Sequence, residues 1–475
     1  MDLKQENEQL KKENQELRQL LEAAMQEIKE LKARLEQNSQ NSHWPSSRDK
    51  GKKPKRTRSL RKKSTKQPGG QKGHKGHTLE FAEEPDEIVT HRPTECEHCQ
   101  NALSHDPEVV SVQKRQVHDL PPIEIFITEH QADTVMCHEC GHETAAQFPS
   151  EVTNPVQYGS GIKQLALYLK HEQLIPYGRS QQFFADLFSL NMSPGTLQNF
   201  TRKGAEAAEP IQSKVKAALV ESDVIHVDES GCYVEGERHW LHTTSTPELT
   251  YYQVDKHRGR LALDAIEILL NYKGTAVHDN WSSYWGYACE HGLCNVHHLR
   301  ELRALYQHDT QPWAKLFELF LLETKAVVEE AKLEGLTRLE PEIMTQIEQL
   351  YTNLVEVALR ANPPPEGGWP KGKRGREKKT KARNLAERFK KRQSEILRFA
   401  HNFAVPFDNN LAERDIRMLK VQQKISGCFR SQQGANDFFT IRGYISTMRK
   451  QGVSIWAALG SLYSSEPLMP DLTPV

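Results

Sequence analysis

Three acidic side chains, far apart along the sequence, could together hold divalent cations. Asp228 follows the β-branched run 224–227, and Asp279 follows a second apolar run at 274–277. Such runs predict buried strands, so each aspartate is expected at a strand end, facing a cleft. Glu413 follows a polar Asp-Asn-Asn sequence that predicts the capped start of a helix. Carboxylate oxygens suit Mg²⁺ or Mn²⁺ better than Zn²⁺, and two such ions about 4 Å apart can serve an in-line displacement at phosphorus.

Other acidic residues near these three leave alternatives open. Glu301 and Asp408 are alternatives to Glu413 as the third ligand. Glu229 adjoins Asp228, but the two-residue period of a strand predicts that its side chain points to the opposite face. An aspartate at a strand end is also a common turn former, so none of these residues is informative alone.

Two Cys-x-x-Cys pairs predict a structural zinc site. The four thiols are those of Cys96, Cys99, Cys137 and Cys140. Each pair places two thiolates on one tight turn, and together they supply the closed tetrahedral set that Zn²⁺ prefers. The alternating residues 109–116 and 123–128 predict two strands between the pairs, as expected of a zinc ribbon. The histidines that could substitute as ligands are His98, His138 and His142.

The composition limits the class of protein. A chain of 475 residues predicts several domains, and its formal net charge of +0 conceals strong segregation of charge along the sequence. We find no apolar run long enough to span a bilayer and no signal-peptide pattern. We therefore expect a soluble cytoplasmic protein. Thiols stay reduced there, so its eight cysteines suggest metal ligands before disulfides.

The two N-terminal segments predict assembly and DNA binding. Residues 1–37 carry about five heptads, with asparagine at two core positions, which favours a parallel homodimeric coiled coil over a lone solvated helix. Residues 38–78 are basic and rich in proline and glycine, so alone they should be disordered. Such a segment is either a solvated linker or, as we favour, a partner of DNA phosphates. The predicted contacts are Lys52, Lys53, Lys55, Arg56, Arg58, Arg61, Lys62 and Lys63.

The remaining chain predicts a multidomain α/β protein. Residues 151–218 are helical, and a polar turn before Ser193 resembles a helix-turn-helix motif, although an ordinary helical hairpin fits equally. The elements that follow are strands at 224–228, 240–244 and 249–254, a helix at 260–270, a strand at 275–279, a helical segment at 281–291 and a strand at 293–297. Three antiparallel strands, a crossover helix and parallel strands predict an RNase H-like fold, in which Asp228 and Asp279 lie on neighbouring strands.

The predicted domain boundaries follow these changes in pattern. They are a coiled coil at 1–37, a basic linker at 38–78, a zinc-binding domain at 79–150, a helical domain at 151–218, the first part of the α/β core at 219–310, a helical insertion with a basic arm at 311–400, and the rest of the core at 401–475. The insertion is too long for a loop, and its arm is expected to face DNA.

Several motifs resemble bacterial transposases of the insertion sequence 66 family. They are Val-Asp-Glu-Ser at 227–230, His-Asp-Asn-Trp at 278–281 and Asp-Asn-Asn-Leu-Ala-Glu-Arg at 408–414, together with the leucine-rich start and the paired cysteines. The resemblance implies that Asp228, Asp279 and Glu413 form an Asp-Asp-Glu triad, which binds two metal ions and cuts and joins transposon ends. Small accessory proteins of the same element are also implied.

The resemblance extends to residues around the triad. A Cys-x-x-His sequence ends at His297, which is then expected to help place the scissile phosphate. Basic residues that follow Glu413 are expected to hold phosphates, although a solvated basic face is the alternative for each: Arg414, Arg417, Lys420, Lys424 and Arg430. Two other functions stay open, namely an RNase H-like nuclease or resolvase that cuts without joining, and an inactive zinc-dependent DNA-binding regulator.

Overall fold

The structure is a computed structural model that describes residues 79–106, 108–121, 123–364 and 379–473. These residues form two compact units, 79–144 and 145–473, and each is described by itself. The predicted coiled coil at 1–37 and the basic linker at 38–78, with its eight predicted DNA contacts, lie outside the described residues. Part of the basic arm, 365–378, also lies outside them.

The smaller unit is built around the two cysteine pairs. Strands β1 (Thr134–Met136) and β2 (Glu143–Ala145) form a two-stranded sheet on either side of the second pair. The prediction of strands at 109–116 and 123–128 is wrong, because neither segment has strand structure. The alternation was expected to bury one face, yet Val110 is 96% exposed and Phe126 94% exposed, so no apolar face drives the pairing.

Three helices open the larger unit. They are α1 (Ser160–Leu167), which continues into a π-helical turn at Tyr168–Glu172, α2 (Tyr177–Phe188) and α3 (Pro194–Val220). The start of α3 is confirmed as a capped one, since the Ser193 hydroxyl accepts the Thr196 N–H at 3.1 Å. The apolar faces of these helices share one cluster with the C-terminal helices, in which Phe184 packs with Tyr444. DNA reading by α2 and α3 stays a prediction.

A five-stranded mixed sheet forms the centre of the larger unit. Its strands are β3 (Val224–Val234), β4 (Glu237–Ser245), β5 (Thr250–Asp255), β6 (Thr275–His278) and β7 (Glu290–Leu293). Their order is β5-β4-β3-β6-β7, with β3, β4 and β5 antiparallel and β3, β6 and β7 parallel. The order and directions predicted from the sequence are thereby confirmed.

Two boundaries in this sheet differ from the prediction. β3 continues to Val234, so Asp228 lies within the strand and the prediction of a strand end is wrong. The strand continues because residues up to Val234 pair with β4 across a tight turn, where Glu235 and Gly236 have positive φ angles. The last strand ends at Leu293, and helix follows at once, so the predicted strand at 293–297 is also wrong beyond its first residue.

The helical segments before and after β6 are shorter than predicted. The crossover helix divides into α4 (Arg260–Ile266) and α5 (Ile268–Asn271), because Glu267 adopts a left-handed conformation with φ of 64°. The predicted helix at 281–291 is only the 3₁₀ turn Ser282–Gly286.

The helices after the sheet form the insertion and the return to the core. Those from the end of the sheet through the insertion are α6 (Asn295–His308), α7 (Pro312–Leu333), α8 (Pro341–Ala361), α9 (Lys381–Lys391), α10 (Gln393–Ile396) and α11 (Arg398–His401). They enclose their own apolar cluster, in which Phe317 packs against Tyr351 and Phe389.

The chain then returns to the sheet through α12 (Asn410–Ser426), α13 (Gln432–Lys450) and α14 (Ile455–Ser461). Ile416 and Phe438 bury apolar side chains against Val254, which fixes α12 and α13 on the sheet. Within 79–364 and 379–473, apart from residues 107 and 122, no helix combines the length and apolarity needed to span a bilayer.

Candidate active site

The register of two parallel strands brings the predicted aspartates together. β3 and β6 pair with Val224 opposite Thr275 and His226 opposite Val277. Continued by two residues, the same register places Asp228 beside Asp279, and paired positions of neighbouring parallel strands are about 4.8 Å apart with side chains on the same face. Asp279 is fixed where β6 ends, because its Oδ1 accepts the backbone N–H of Trp281 at 2.9 Å.

Glu413 reaches the same place from the first turn of α12. One buried side chain, that of Asn409, ties this helix start to β3: its Nδ2 donates to the carbonyl of Val227 at 2.9 Å, and its Oδ1 lies 2.8 Å from Nδ1 of His226. The Asn409 carbonyl also accepts the N–H of Glu413 at 3.3 Å. The Asp-Asn-Asn sequence predicts only a helix cap, and no local pattern signals this link, since the partners of Asn409 are more than 180 residues away.

The charges of neighbouring carboxylates act on Asp228. Burial, followed by the charges on Glu229, Asp279 and Glu413, raises the pKa of Asp228 well above its ordinary value. Two aspartates and a glutamate in mutual repulsion are a hard-oxygen donor set with negative charge that a divalent cation would compensate, so these residues fit such ions.

The spacing of the donors limits how ions could be shared. Among the described residues, the three carboxylates do not form a group in which one oxygen from each lies within 4.8 Å of the other two. Oxygens that share one Mg²⁺ lie about 2.1 Å from it and therefore about 3–4 Å apart at adjacent positions. The three side chains as they stand therefore do not gather around a single ion.

Glu229, which the sequence analysis set on the opposite face, is held by a basic and aromatic cluster. Its Oε1 accepts Nε of Arg258 at 2.9 Å, and its Oε2 accepts the Tyr284 hydroxyl at 2.5 Å. Arg258 also lies over the rings of Trp240 and Trp281, at 4.8 and 4.3 Å from their centroids. Burial, then the charge on Asp279, raises the pKa of Glu229 to about 7, against the lowering effect of Arg258 and Tyr284. These partners orient Glu229 beside the aspartates.

The Cys-x-x-His sequence begins a helix next to Glu413. Cys294 is the N-cap residue of α6, and His297 lies in its first turn. His297 Nε2 is 3.9 Å from Oε1 of Glu413, with the two side chains 17% and 24% exposed. Burial, followed by the charge on Glu413, raises the pKa of the Cys294 thiol to about 12.

The two alternative third ligands have other partners. Glu301 forms a close ion pair with Arg388, which comes from helix α9 of the insertion. Asp408 accepts the N–H of Asn410 through its Oδ1 at 3.0 Å, as a turn former does. Burial lowers the pKa of Arg388 to about 10, and the negative charge on Asp279 opposes that change. The insertion therefore supplies a positive charge to the site, and no local sequence pattern signals it.

Four of the five predicted phosphate contacts on the C-terminal side are exposed, namely Arg414, Arg417, Lys424 and Arg430. Lys420 is half-buried, and its Nζ donates to the carbonyl of Gly231 at 3.2 Å. Lys420 is therefore held by the backbone of β3, whereas the other four basic side chains remain available to a polyanion.

The two cysteine pairs form separate turns in the smaller unit. Each turn is closed by a backbone hydrogen bond, as in a zinc knuckle. The Gln100 N–H donates to the Cys96 carbonyl at 2.9 Å, and the Gly141 N–H donates to the Cys137 carbonyl at 2.8 Å. Backbone N–H groups of each turn lower the pKa of Cys96 and Cys137, which favours thiolates. Within the described residues, the four thiols are not gathered into one group, so the four-cysteine zinc site stays a prediction.

Comparisons with known proteins add two family matches. The family described as "Transposase IS66 family" matches residues 155–437, more than half of the chain and the whole of the site described above. A "Family of unknown function (DUF6444)" matches residues 2–80. The chain is also 33% identical, over 76 residues, to the uncharacterized protein y4jO of Sinorhizobium fredii (strain NBRC 101917 / NGR234). That match covers 16% of this chain and 24% of the relative, so the chain spans about a quarter of that protein's length.

Proposed function

Because the chain belongs to the transposase IS66 family, we propose that it is a DNA transposase that binds the ends of its insertion sequence, cleaves them by metal-dependent hydrolysis and joins the 3′-OH ends to target DNA. The observation that supports this proposal is that the charges on Asp279 and Glu413 both raise the pKa of Asp228, which lies on strand β3 beside the parallel strand β6. The core that holds them is proposed to be RNase H-like, from its strand order.

The acidic residues are proposed to hold Mg²⁺ or Mn²⁺, with Asp228 in reach of both other carboxylates. In-line displacement at a phosphodiester needs charge neutralised on the attacking and the leaving oxygen, which paired divalent cations supply when bound. Asp279 is pre-oriented for this role by the Trp281 N–H, and Glu413 by the attachment of its helix through Asn409. Preorganised ligands lower the cost of assembling the site when DNA arrives.

Two displacements follow from one site. Water first attacks the phosphorus at the transposon end, a P–O bond breaks, and the 3′-oxygen leaves as a hydroxyl. That hydroxyl then attacks a phosphorus of the target DNA and forms a new P–O bond, while the P–O bond to the target's own 3′-oxygen breaks and that oxygen leaves as a hydroxyl. No covalent link to the protein is needed. His297, 3.9 Å from Glu413, is proposed to help place the scissile phosphate. Exposed Arg414 and Arg417 follow Glu413 on α12 and are proposed to hold the flanking phosphates.

Other parts of the chain are proposed to serve assembly and DNA capture. The N-terminal heptads would form the homodimer, and the basic linker and the insertion arm would bind double-stranded DNA at the terminal repeats and the target. The cysteine pairs would hold a structural Zn²⁺, and their thiolate-favouring turns support this. Small accessory proteins and association with the nucleoid are part of the same proposal.

The decisive experiment incubates the full-length protein with the terminal DNA of its own element and Mg²⁺, and maps the nicked strand. We expect nicking at the transposon end and, with pre-cut ends, covalent joining to target DNA. Cutting without joining would assign the protein to nucleases or resolvases. Binding without cutting, in both Mg²⁺ and Mn²⁺, would assign it to inactive DNA-binding regulators.

The raised pKa of Asp228 predicts a pH-dependent response to metal. The folded, metal-free protein binds this proton more tightly than the unfolded chain does, so the stabilisation is present below the ordinary pKa of 3.8 and is lost as the pH rises through the raised value. Mg²⁺ needs the ionised carboxylate. Saturating Mg²⁺ should therefore raise the Tm by roughly 2–4 °C at pH 8 but by less than about 1 °C at pH 5. Thermal melts at both pH values test this.

Asp228→Asn is the control for this measurement, because the amide removes the titrating group at nearly constant shape. We expect its Tm to respond much less to Mg²⁺ at pH 8. An equal response of the wild type at both pH values would show that cation binding does not involve ionisation of this buried group.

A further inference from the structure

A second donor set, chemically different from the aspartates, shares Glu413. We propose that Cys294, His297 and Glu413 form a binding site for a thiophilic divalent cation, of the class of Zn²⁺ or Cd²⁺, and that an ion there withdraws Glu413 from catalysis. The binding itself stands on the geometry alone. Its inhibitory effect rests on the proposed transposase function.

The fold builds this donor set from two helix starts. One ligand atom from each of the three residues lies within 4.8 Å of the others, and His297 Nε2 is 3.9 Å from Oε1 of Glu413. Cys294 and His297 are three residues apart at the start of α6, so their side chains lie on the same side of one turn.

Backbone bonds hold the two helix starts against each other. The Asn295 N–H donates to the carbonyl of Phe407 at 3.0 Å, and the Asn409 N–H donates to Sγ of Cys294 at 3.2 Å. A backbone N–H directed at a buried sulfur favours the thiolate that a metal would require, because it places positive charge where the negative charge forms. This N–H opposes the burial and the Glu413 charge, which together raise the pKa of the Cys294 thiol, and a bound cation would act in the same direction as the N–H. The cluster is therefore partly preorganised for binding.

The chemistry of the set selects the ion. One sulfur, one imidazole nitrogen and one carboxylate oxygen make three protein ligands, which suit Zn²⁺ with an open fourth position. Bonds of about 2.0–2.3 Å place tetrahedral ligand atoms about 3.3–3.8 Å apart, so the distances between the three ligand atoms must shorten by at most about 1.5 Å. Thiolate is a poor ligand for Mg²⁺ and a good one for Zn²⁺ and Cd²⁺, so at this donor set the two kinds of ion compete through the shared ligand Glu413.

Titration of the metal-stripped, full-length protein with Cd²⁺ and Co²⁺ tests the binding, with near-ultraviolet absorption from thiolate-to-metal charge transfer as the readout. Cys294→Ser should bind one equivalent fewer per chain and lose the matching part of the absorption. Cys428→Ser is the matched control, since this cysteine is exposed and lies outside the cluster, and it should behave as the wild type does. The two Cys-x-x-Cys pairs are unchanged in the wild type and both variants, so their contribution to metal binding and to the absorption is the same in all three proteins.

A second variant guards against misfolding, because Cys294 is buried and serine there could disturb the fold. His297→Ala changes a partly exposed residue and should weaken this one equivalent by at least about tenfold while leaving the other equivalents unchanged. Unchanged stoichiometry and affinity in both variants would overturn the proposal.

The inhibitory effect is measured separately, as the Zn²⁺ concentration that halves Mg²⁺-dependent cleavage of terminal DNA. That concentration should rise by at least about tenfold in Cys294→Ser relative to Cys428→Ser. Equal inhibition of both variants would overturn the link to catalysis. If no cleavage is found in any protein, the transposase proposal fails, while the metal titration still decides the binding site.

Discussion

Replacing Glu413 with glutamine is expected to reduce cleavage of terminal DNA by at least about 10³-fold while binding of that DNA is retained. The amide keeps the size of the side chain but removes the charge, and a neutral oxygen is a poor ligand for a hard divalent cation. The exposed basic residues of α12, among them Arg414 and Arg417, are unchanged, so the electrostatic part of DNA binding should remain. Cleavage is measured on labelled terminal DNA, and binding by mobility shift under the same ionic conditions.

Three further variants define what this result means. Asp228→Asn and Asp279→Asn should lose cleavage to the same extent, because the site acts as a unit. Glu267→Gln makes the same change at a side chain that is 62% exposed and paired with Lys216, and it should cleave as the wild type does. Full cleavage by Glu413→Gln would move the third ligand elsewhere, and Glu301→Gln and Asp408→Asn would then be the variants to compare.

The order of the strands could be predicted from the sequence because each strand carries its own local pattern. Asp228 and Asp279 follow apolar runs whose type and spacing predict two neighbouring parallel strands, and the observed pairing of β3 with β6 confirms that these strands are neighbours. The end of β3 could not be predicted in the same way. Residues 231–234 continue the strand only because β4 folds back on them, which is a tertiary contact that overrides the local signal.

The residues that surround the proposed triad could not be predicted from local sequence patterns. The strand period predicts that Glu229 points away from Asp228. The partners that hold its carboxylate, Arg258 and Tyr284, come from separate segments more than 25 residues downstream. Arg388 comes from the insertion. It forms an ion pair with Glu301 and interacts with the charge on Asp279. Charges that arrive from distant segments leave no periodic trace in the sequence, whereas a strand or a helix start does.

Asn409→Ala is expected to have the second-largest effect, a loss of cleavage of about 10²-fold with Glu413 itself intact. Asn409 is 2% exposed, and its amide joins α12 to β3 at His226 and Val227, the residues that precede Asp228. Alanine leaves the Val227 carbonyl without this donor in a buried place, which should lower the free energy of unfolding by about 1–3 kcal/mol. The start of α12 then loses its fixed position, and a displacement of about 1 Å between metal ligands can cost on the order of 10²-fold in rate. Chemical denaturation and the cleavage assay measure the two effects on the same protein.

A matched asparagine separates positioning from stability. Asn295 is also fully buried, and its amide likewise makes two contacts, at 3.0 Å to the carbonyl of Ile396 and at 3.1 Å to the ring of His298, but it does not link the strands to Glu413. Asn295→Ala should therefore lose similar stability and much less cleavage. The Mg²⁺ concentration for half-maximal cleavage should rise several-fold in Asn409→Ala only, because a displaced Glu413 weakens the metal site before any unfolding occurs. If Asn409→Ala and Asn295→Ala lost equal cleavage at equal stability, with no change in Mg²⁺ dependence, Asn409 would contribute only to folding. The position of Glu413 would then be set by the packing of α12 on the sheet.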